Sequence, residues 1–184
     1  MWSWIKNLIS RKCKVLADVK TVPGVGVEKD QVAAFAIKNK DRYKALEKLS
    51  SVPWDVCVAL HYREASLDFN TCLHNGDPLP GPTTHVPKGR GPFLGPKAWE
   101  EAACDAILLE KHKFPLAWDT AGKLDFCEKY NGLGYRNRGL VSPYVYAGTD
   151  KYISGLFVKD GVFDSSKVDR RLGCAVIIKE LEGK

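Results

Sequence analysis

No stretch of this chain approaches the roughly 20 consecutive apolar residues that a membrane-spanning helix needs, which argues against a helical integral membrane protein. The opening Met1-Trp2-Ser3-Trp4-Ile5-Lys6-Asn7-Leu8-Ile9 is too short for an export signal core and lacks a small-residue cleavage site. Synthesis in the cytoplasm without a cleavable signal peptide is therefore expected. The six cysteines (Cys13, Cys57, Cys72, Cys104, Cys127 and Cys174) form no C-x-x-C pair, so zinc-finger and dithiol redox motifs are absent. Cys57, Cys104 and Cys174 fall in apolar stretches with a helical pattern and read as small buried hydrophobes. Free thiols are expected, although a disulfide framework is compatible with the count. The chain has no internal repeat and no low-complexity tract. Val22-Pro23-Gly24-Val25-Gly26 lacks the glycine spacing and flanking strand of a phosphate loop. A nucleophile elbow is also missing, which removes the usual support for a serine or cysteine triad.

What is present is ordinary for a globular protein. Apolar residues make up 45% and charged residues 27% of 184 positions, enough for one domain with a sizeable core. The net charge of +6 suits a polyanionic partner such as nucleic acid, anionic lipid or cell wall, and equally suits a plain soluble surface. The lysines are scattered and no nucleic-acid motif appears, so no nucleic-acid partner is expected.

Residues 1–20 form a short basic amphipathic segment, and residues 27–184 the main domain. In the first segment Trp2, Ile5, Leu8, Ile9, Val15 and Leu16 oppose Lys6, Arg11, Lys12 and Lys14. Residues 1–19 can thus be a helix packed on the domain or one lying on a membrane surface, and the packed helix is the expected form. Residues 28–50 read as one helix, from Val32, Phe35, Ala36, Tyr43 and Leu46. A second starts at Pro53 and is nearly all apolar through Leu60, so it must be buried on most sides. It ends in His61-Tyr62-Arg63-Glu64.

The stretch 66–96 holds six prolines and five glycines, with Asn75-Gly76 as a turn signal. Leu67–Leu73 and Thr83–Val86 are expected to pair as an irregular hairpin. Helices follow over 97–112 and 120–130, then an aromatic loop over Tyr144–Tyr152. Phe157–Phe163 reads as a hairpin around Asp160-Gly161, and Val168, Leu172, Ala175 and Val176 define a closing helix. The fold class expected is mainly α, in the α+β sense, with one or two small β-hairpins.

Glu64 is the residue that invites chemistry. It lies four positions after Leu60 and seven after Cys57, on the same face of a buried helix. Apolar surroundings raise a carboxyl pKa by disfavouring its charged form. Glycosidic cleavage needs such an acid, protonated near neutral pH. The bland alternative is a solvated carboxylate paired with Arg63 or Lys48. His61, one turn earlier, reads as a packed, hydrogen-bonded histidine rather than a base.

Arg63-Glu64-Ala65-Ser66-Leu67-Asp68-Phe69 resembles the catalytic signature of lytic transglycosylases and goose-type lysozymes, with Ala65 displacing Ser66 by one position. Lys129-Tyr130-Asn131-Gly132-Leu133-Gly134 resembles their second motif. Ser142-Pro143-Tyr144-Val145-Tyr146 resembles their late aromatic element. The three occur in family order and the resemblance extends over about residues 50–155. It implies a lysozyme-like fold, and the sequence is also similar to phage endolysins.

That resemblance implies a peptidoglycan-cleaving enzyme acting on the bacterial cell wall, at the β-1,4 bond between N-acetylmuramic acid and N-acetylglucosamine. Glu64 would be its catalytic acid. Ser66, Asp77, Thr84, His85, Tyr130, Asn131, Tyr144 and Tyr146 are the expected substrate contacts. Tyr62 and Phe93 are further aromatics considered for sugar stacking, with Phe93 favoured as core. No cofactor and no metal are expected, and a monomer is. Asp77 divides two mechanisms. With Thr83 six residues on, it matches the spacing of a water-activating carboxylate in phage-type lysozymes. Following Asn75-Gly76, it also fits a structural turn, which is the preferred reading. Without it, Glu64 acts alone as acid then base, and the muramoyl 6-hydroxyl closes a 1,6-anhydro ring. A lytic transglycosylase is the preferred reading. Alternatives are a muramidase assisted by Asp77, or a non-catalytic glycan-binding or virion-structural domain.

Overall fold

A computed structural model describes residues 18–184. The basic segment of residues 1–19 therefore lies outside the described residues except for its last two positions. Val19 is buried and its carbonyl accepts a hydrogen bond from Lys179 Nζ at 2.6 Å.

The described residues form seven α-helices and a two-stranded antiparallel sheet, the mainly helical α+β class expected. The helices are α1 (Gly26–Lys38), α2 (Lys40–Ser50), α3 (Trp54–Ala65), α4 (Ala98–Leu109), α5 (Thr120–Asn131), α6 (Pro143–Tyr146) and α7 (Cys174–Leu181). Strands β1 (Leu156–Lys159) and β2 (Val162–Asp164) pair with Phe157 opposite Phe163 and a bulge between Phe157 and Lys159.

Helix α3 is the axis of the core. Nine of its 12 residues are buried, and it packs against α2, α5 and α7. Val56, Val58 and Leu60 are fully enclosed, each contributing about 1.5–3 kcal/mol relative to exposure. Buried Asp55 in its first turn pairs with Lys123 of α5 at 2.5 Å, fixing the two helices in register. Asp119 caps α5 by accepting from Gly122 N at 2.8 Å, a contact usually worth about 1 kcal/mol.

Four expected elements differ. The first is the aromatic loop expected over Tyr144–Tyr152, whose Tyr144–Tyr146 lie in helix α6, begun by Pro143 in its first turn. The helix expected over 28–50 breaks at Asn39, whose side-chain Nδ2 and backbone N–H both donate to the Phe35 carbonyl. Such local bonding is how asparagine competes with helix continuation. Residues 66–97 contain isolated bridges, Thr71 to Pro78 and Gly81 to Phe93, but no strand. Prolines have no N–H for a ladder, and side chains organise this loop instead. The closing helix starts at Cys174 rather than near Val168. Before it, Gly173 N donates to Ala147 O at 2.8 Å, and a Cβ on Gly173 would stand 2.4 Å from the Val145 carbonyl oxygen. Only glycine permits that approach of the α7 entry to α6.

Candidate active site

The α3 helix ends abruptly. Ser66 and Leu67 both adopt left-handed backbone, φ 49° and 64°, and their N–H groups return to the carbonyls of Tyr62 and His61. The Leu67 bond to His61 is that of a Schellman-type cap made without glycine. Two non-glycine residues in that region are strained by about 1–2 kcal/mol each. The turn leaves Glu64 on the last turn of α3, aimed away from the core.

Tyr144 receives it. This buried residue of α6 donates its hydroxyl to Glu64 Oε1 at 2.6 Å. Arg63 lies over the same ring, its guanidinium carbon 4.8 Å from the ring centre. No ion pair joins Arg63 or Lys48 to Glu64 among the described residues. Arg63 is buried and donates instead to Asp169 Oδ2 at 2.7 Å and to the Leu172 carbonyl at 3.2 Å.

The Glu64 carboxyl opens to solvent, yet its pKa is raised. Protein crowding on its closed sides depletes the water that would stabilise the anion, and this outweighs the opposing pull of Tyr144, Arg63 and Arg171. Contact with one layer of water and access to bulk water are different properties, and acidity follows the second. Tyr144 is pushed well above the ordinary phenol range, chiefly by its burial, and so stays a donor.

Two cavities meet at this carboxyl. The larger, about 500 Å³, is lined by Arg63, Tyr135, Tyr144, Phe157, Asp169 and Arg171, among others. The smaller, about 430 Å³, is lined by Leu73, His74, Pro87, Leu109, Glu110 and Tyr130, among others. Glu64 and Asn131 are the two residues common to both linings. Asn131 closes α5 and is followed by Gly132 at φ 104°, a conformation that turns the chain sharply away and leaves the amide at the groove. Glu64, Tyr130, Asn131 and Tyr144 thus come together along one groove from three helices.

Five other expected substrate contacts do not line it. Ser66 is held in the α3 cap. Asp77 is buried in its own loop, accepting from Thr84 N at 2.6 Å, Thr84 Oγ1 at 3.0 Å, His85 N at 2.9 Å and the His85 ring. These donors hold its carboxyl far below the usual range, His85 foremost. Thr84 and His85 therefore serve Asp77. Tyr146 is buried on the core side of α6. Of the further aromatics, Phe93 belongs to a small core with Cys72, Ala98 and Ala102. Tyr62 donates to Glu28 and accepts from Leu172 N at 3.1 Å.

His61 is fully buried between Trp99 and Phe69, with Nδ1 2.9 Å from the Tyr43 hydroxyl. Burial lowers its pKa to about 4, so it is a neutral packing residue. The groove also contains residues that sequence reasoning missed. His74, its side chain wholly buried, reaches Asp105 at 2.8 Å through Nε2. Arg63, Asp169 and Arg171 form a charged wall. Arg63 had a signal, its position beside Glu64 in the motif; Asp169 and Arg171, a hundred residues away, had none. No three His, Cys, Asp or Glu side chains among the described residues are grouped to hold a metal ion.

The chain matches no protein-family model, no curated protein and no solved structure. A functional reading therefore stands on the residues themselves.

Proposed function

We propose that this protein cleaves the glycan strand of peptidoglycan at the β-1,4 bond between N-acetylmuramic acid and N-acetylglucosamine, as a lytic transglycosylase with Glu64 as acid and then base. The observation that carries this reading is the position of Glu64, a carboxyl of raised pKa where two groove cavities meet. A polymer lying through the groove has sugars on both sides of the bond over the acid.

Protonated Glu64 donates its proton to the glycosidic oxygen as the bond from that oxygen to the muramoyl C1 breaks. Tyr144 donates to Oε1, so Oε2 carries the proton, and the same hydrogen bond stabilises the carboxylate left behind. Positive charge develops at C1 and its ring oxygen. The Glu64 carboxylate then takes the proton of the muramoyl 6-hydroxyl, whose oxygen bonds to C1 and closes the anhydro ring. Asn131 supplies an amide to orient the sugar, and Tyr130 an aromatic face in the smaller cavity.

Hydrolysis by an inverting route needs a second carboxylate to activate water across the sugar. Asp77 has its oxygens occupied by Thr84 and His85, which favours the route using the substrate's own hydroxyl. The test is digestion of purified peptidoglycan with mass analysis of the products. Anhydromuramoyl ends are expected. Reducing muramoyl ends would replace the transglycosylase with a muramidase, and undigested wall would remove the reading altogether.

A further inference from the structure

We infer that Arg171, with Lys159 on the β-hairpin, forms a carboxylate-binding subsite in the larger cavity, so that the enzyme selects glycan strands bearing acidic substituents over neutral ones. The inference rests on the glycan-cleaving reading and specifies its substrate.

The wall beside Glu64 carries Arg63, Lys159 and Arg171 against Asp160 and Asp169, one positive charge in excess when Glu64 is protonated. Arg63 and Arg171 share one carboxylate, that of Asp169. The sharing is unequal. Buried Arg63 holds Asp169 Oδ2 at 2.7 Å, whereas Arg171 meets the same carboxylate at 3.2 and 3.3 Å. The Arg63 side chain is 2% exposed and that of Arg171 57% exposed. Asp169 is the carboxylate paired with Arg63, which would be costly to bury alone, and it also takes the Nε–Nη2 edge and the backbone N–H of Arg171. Among the described residues Arg171 Nη1 has no hydrogen-bond partner, and the side chain shares its counter-ion with Arg63.

That charge faces the groove. Arg171 and Lys159 both line the larger cavity with Glu64, and Lys159 makes no ion pair among the described residues. Arg171 is near enough to act on Glu64, whose acidity it increases. A planar guanidinium with two unused N–H groups is the group best suited to take a carboxylate by paired hydrogen bonds. A strand lying over Glu64 would bring its substituents along this wall. Two carboxylates of the wall polymer have this chemistry. One is the lactyl carboxylate of a muramoyl sugar without peptide; the other belongs to the stem peptide, whose attachment converts the lactyl group to an amide.

The test measures binding to the Glu64→Gln protein, which traps substrate uncut, by calorimetry with three ligands of equal glycan length. They are a peptide-free muramoyl glycan, the same glycan carrying stem peptides, and a neutral chitooligosaccharide. Adding Arg171→Gln is expected to weaken one anionic ligand at least about tenfold more than the neutral oligomer, and the ligand affected identifies the carboxylate. Arg171→Lys should recover most of the loss, because the charge remains. The ratio guards against a general loosening, and the Arg63–Asp169 pair keeps the wall folded. Equal losses on charged and neutral ligands, or none on any, would overturn the subsite while leaving the cleavage reading intact. A Glu64 protein that cuts no peptidoglycan would overturn both.

Discussion

Tyr144 and Glu64, 80 positions apart in the chain, are joined by a hydrogen bond of 2.6 Å, and Arg63 packs over the ring of the same tyrosine. One tyrosine thus contacts both neighbours in sequence, the acid through its hydroxyl and the permanently charged residue through its ring. Tyr144→Phe keeps the ring and removes the donor. Because that bond lowers the Glu64 pKa, its loss raises it, and the alkaline limb of kcat/KM moves to higher pH. The anion formed on proton transfer also loses its stabilising donor, so kcat falls by about tenfold or more. A limb that stays in place would dissociate Tyr144 from the acid.

Glu64→Gln should reduce cleavage by at least about 10²–10⁴-fold, the usual contribution of a positioned acid. Its stability effect has a definite sign. A carboxyl whose folded pKa lies above its unfolded value destabilises the fold once pH exceeds the unfolded value, and fully above the folded one. Glutamine removes that effect. The variant's Tm should equal or exceed that of the parent at neutral and alkaline pH, and the advantage should vanish below about pH 4. A lower Tm at pH 8 with an unchanged Tm at pH 4 would contradict the raised pKa.

Asp77→Ala tests a structural carboxylate. Removing a buried carboxylate that accepts four hydrogen bonds from Thr84 and His85 is expected to cost about 1–3 kcal/mol of stability, read as a drop in Tm. Once corrected for the folded fraction, cleavage should fall by less than about tenfold, and the product ends should be unchanged. A folded variant with a hundredfold defect would restore Asp77 to the mechanism.

Ser66→Gly addresses the strained cap. Glycine takes φ 49° without the Cβ penalty, and net of its greater freedom when unfolded the gain is about 0.5 kcal/mol. Cleavage should stay within about twofold, since Ser66 lines neither cavity. A large loss of activity at unchanged stability would return Ser66 to the substrate.

The helices were legible because periodic apolar residues report a buried face whatever the surroundings. The buried run Trp54–Leu60 set both the core helix and the position of its terminal glutamate, and the Tyr130-Asn131 and Tyr144 motifs pointed to the residues found with it in the groove. The failures share a cause. The break at Asn39 depends on one amide choosing the Phe35 carbonyl, which periodicity does not register. Asp77 looked suited to catalysis as well as to a turn until its donors were seen. Val168 belonged to an apolar pattern but is half exposed, and the residues after it serve a charged wall instead of a helix. Arg171 and Lys159 reach Glu64 only through long-range folding, and nothing near them in sequence announces it.

The groove has a further consequence for the kind of cut. Two cavities share Glu64 and Asn131 in their linings, so on the proposed reading a strand over the acid has room in each. An enzyme built to nibble from a terminus needs a wall that stops the strand one or two sugars past the bond. A channel that continues in both directions accepts the middle of a strand, and its early products are long fragments. Under the proposed function, sacculi would lose mechanical strength after few scissions, well before soluble disaccharides accumulate.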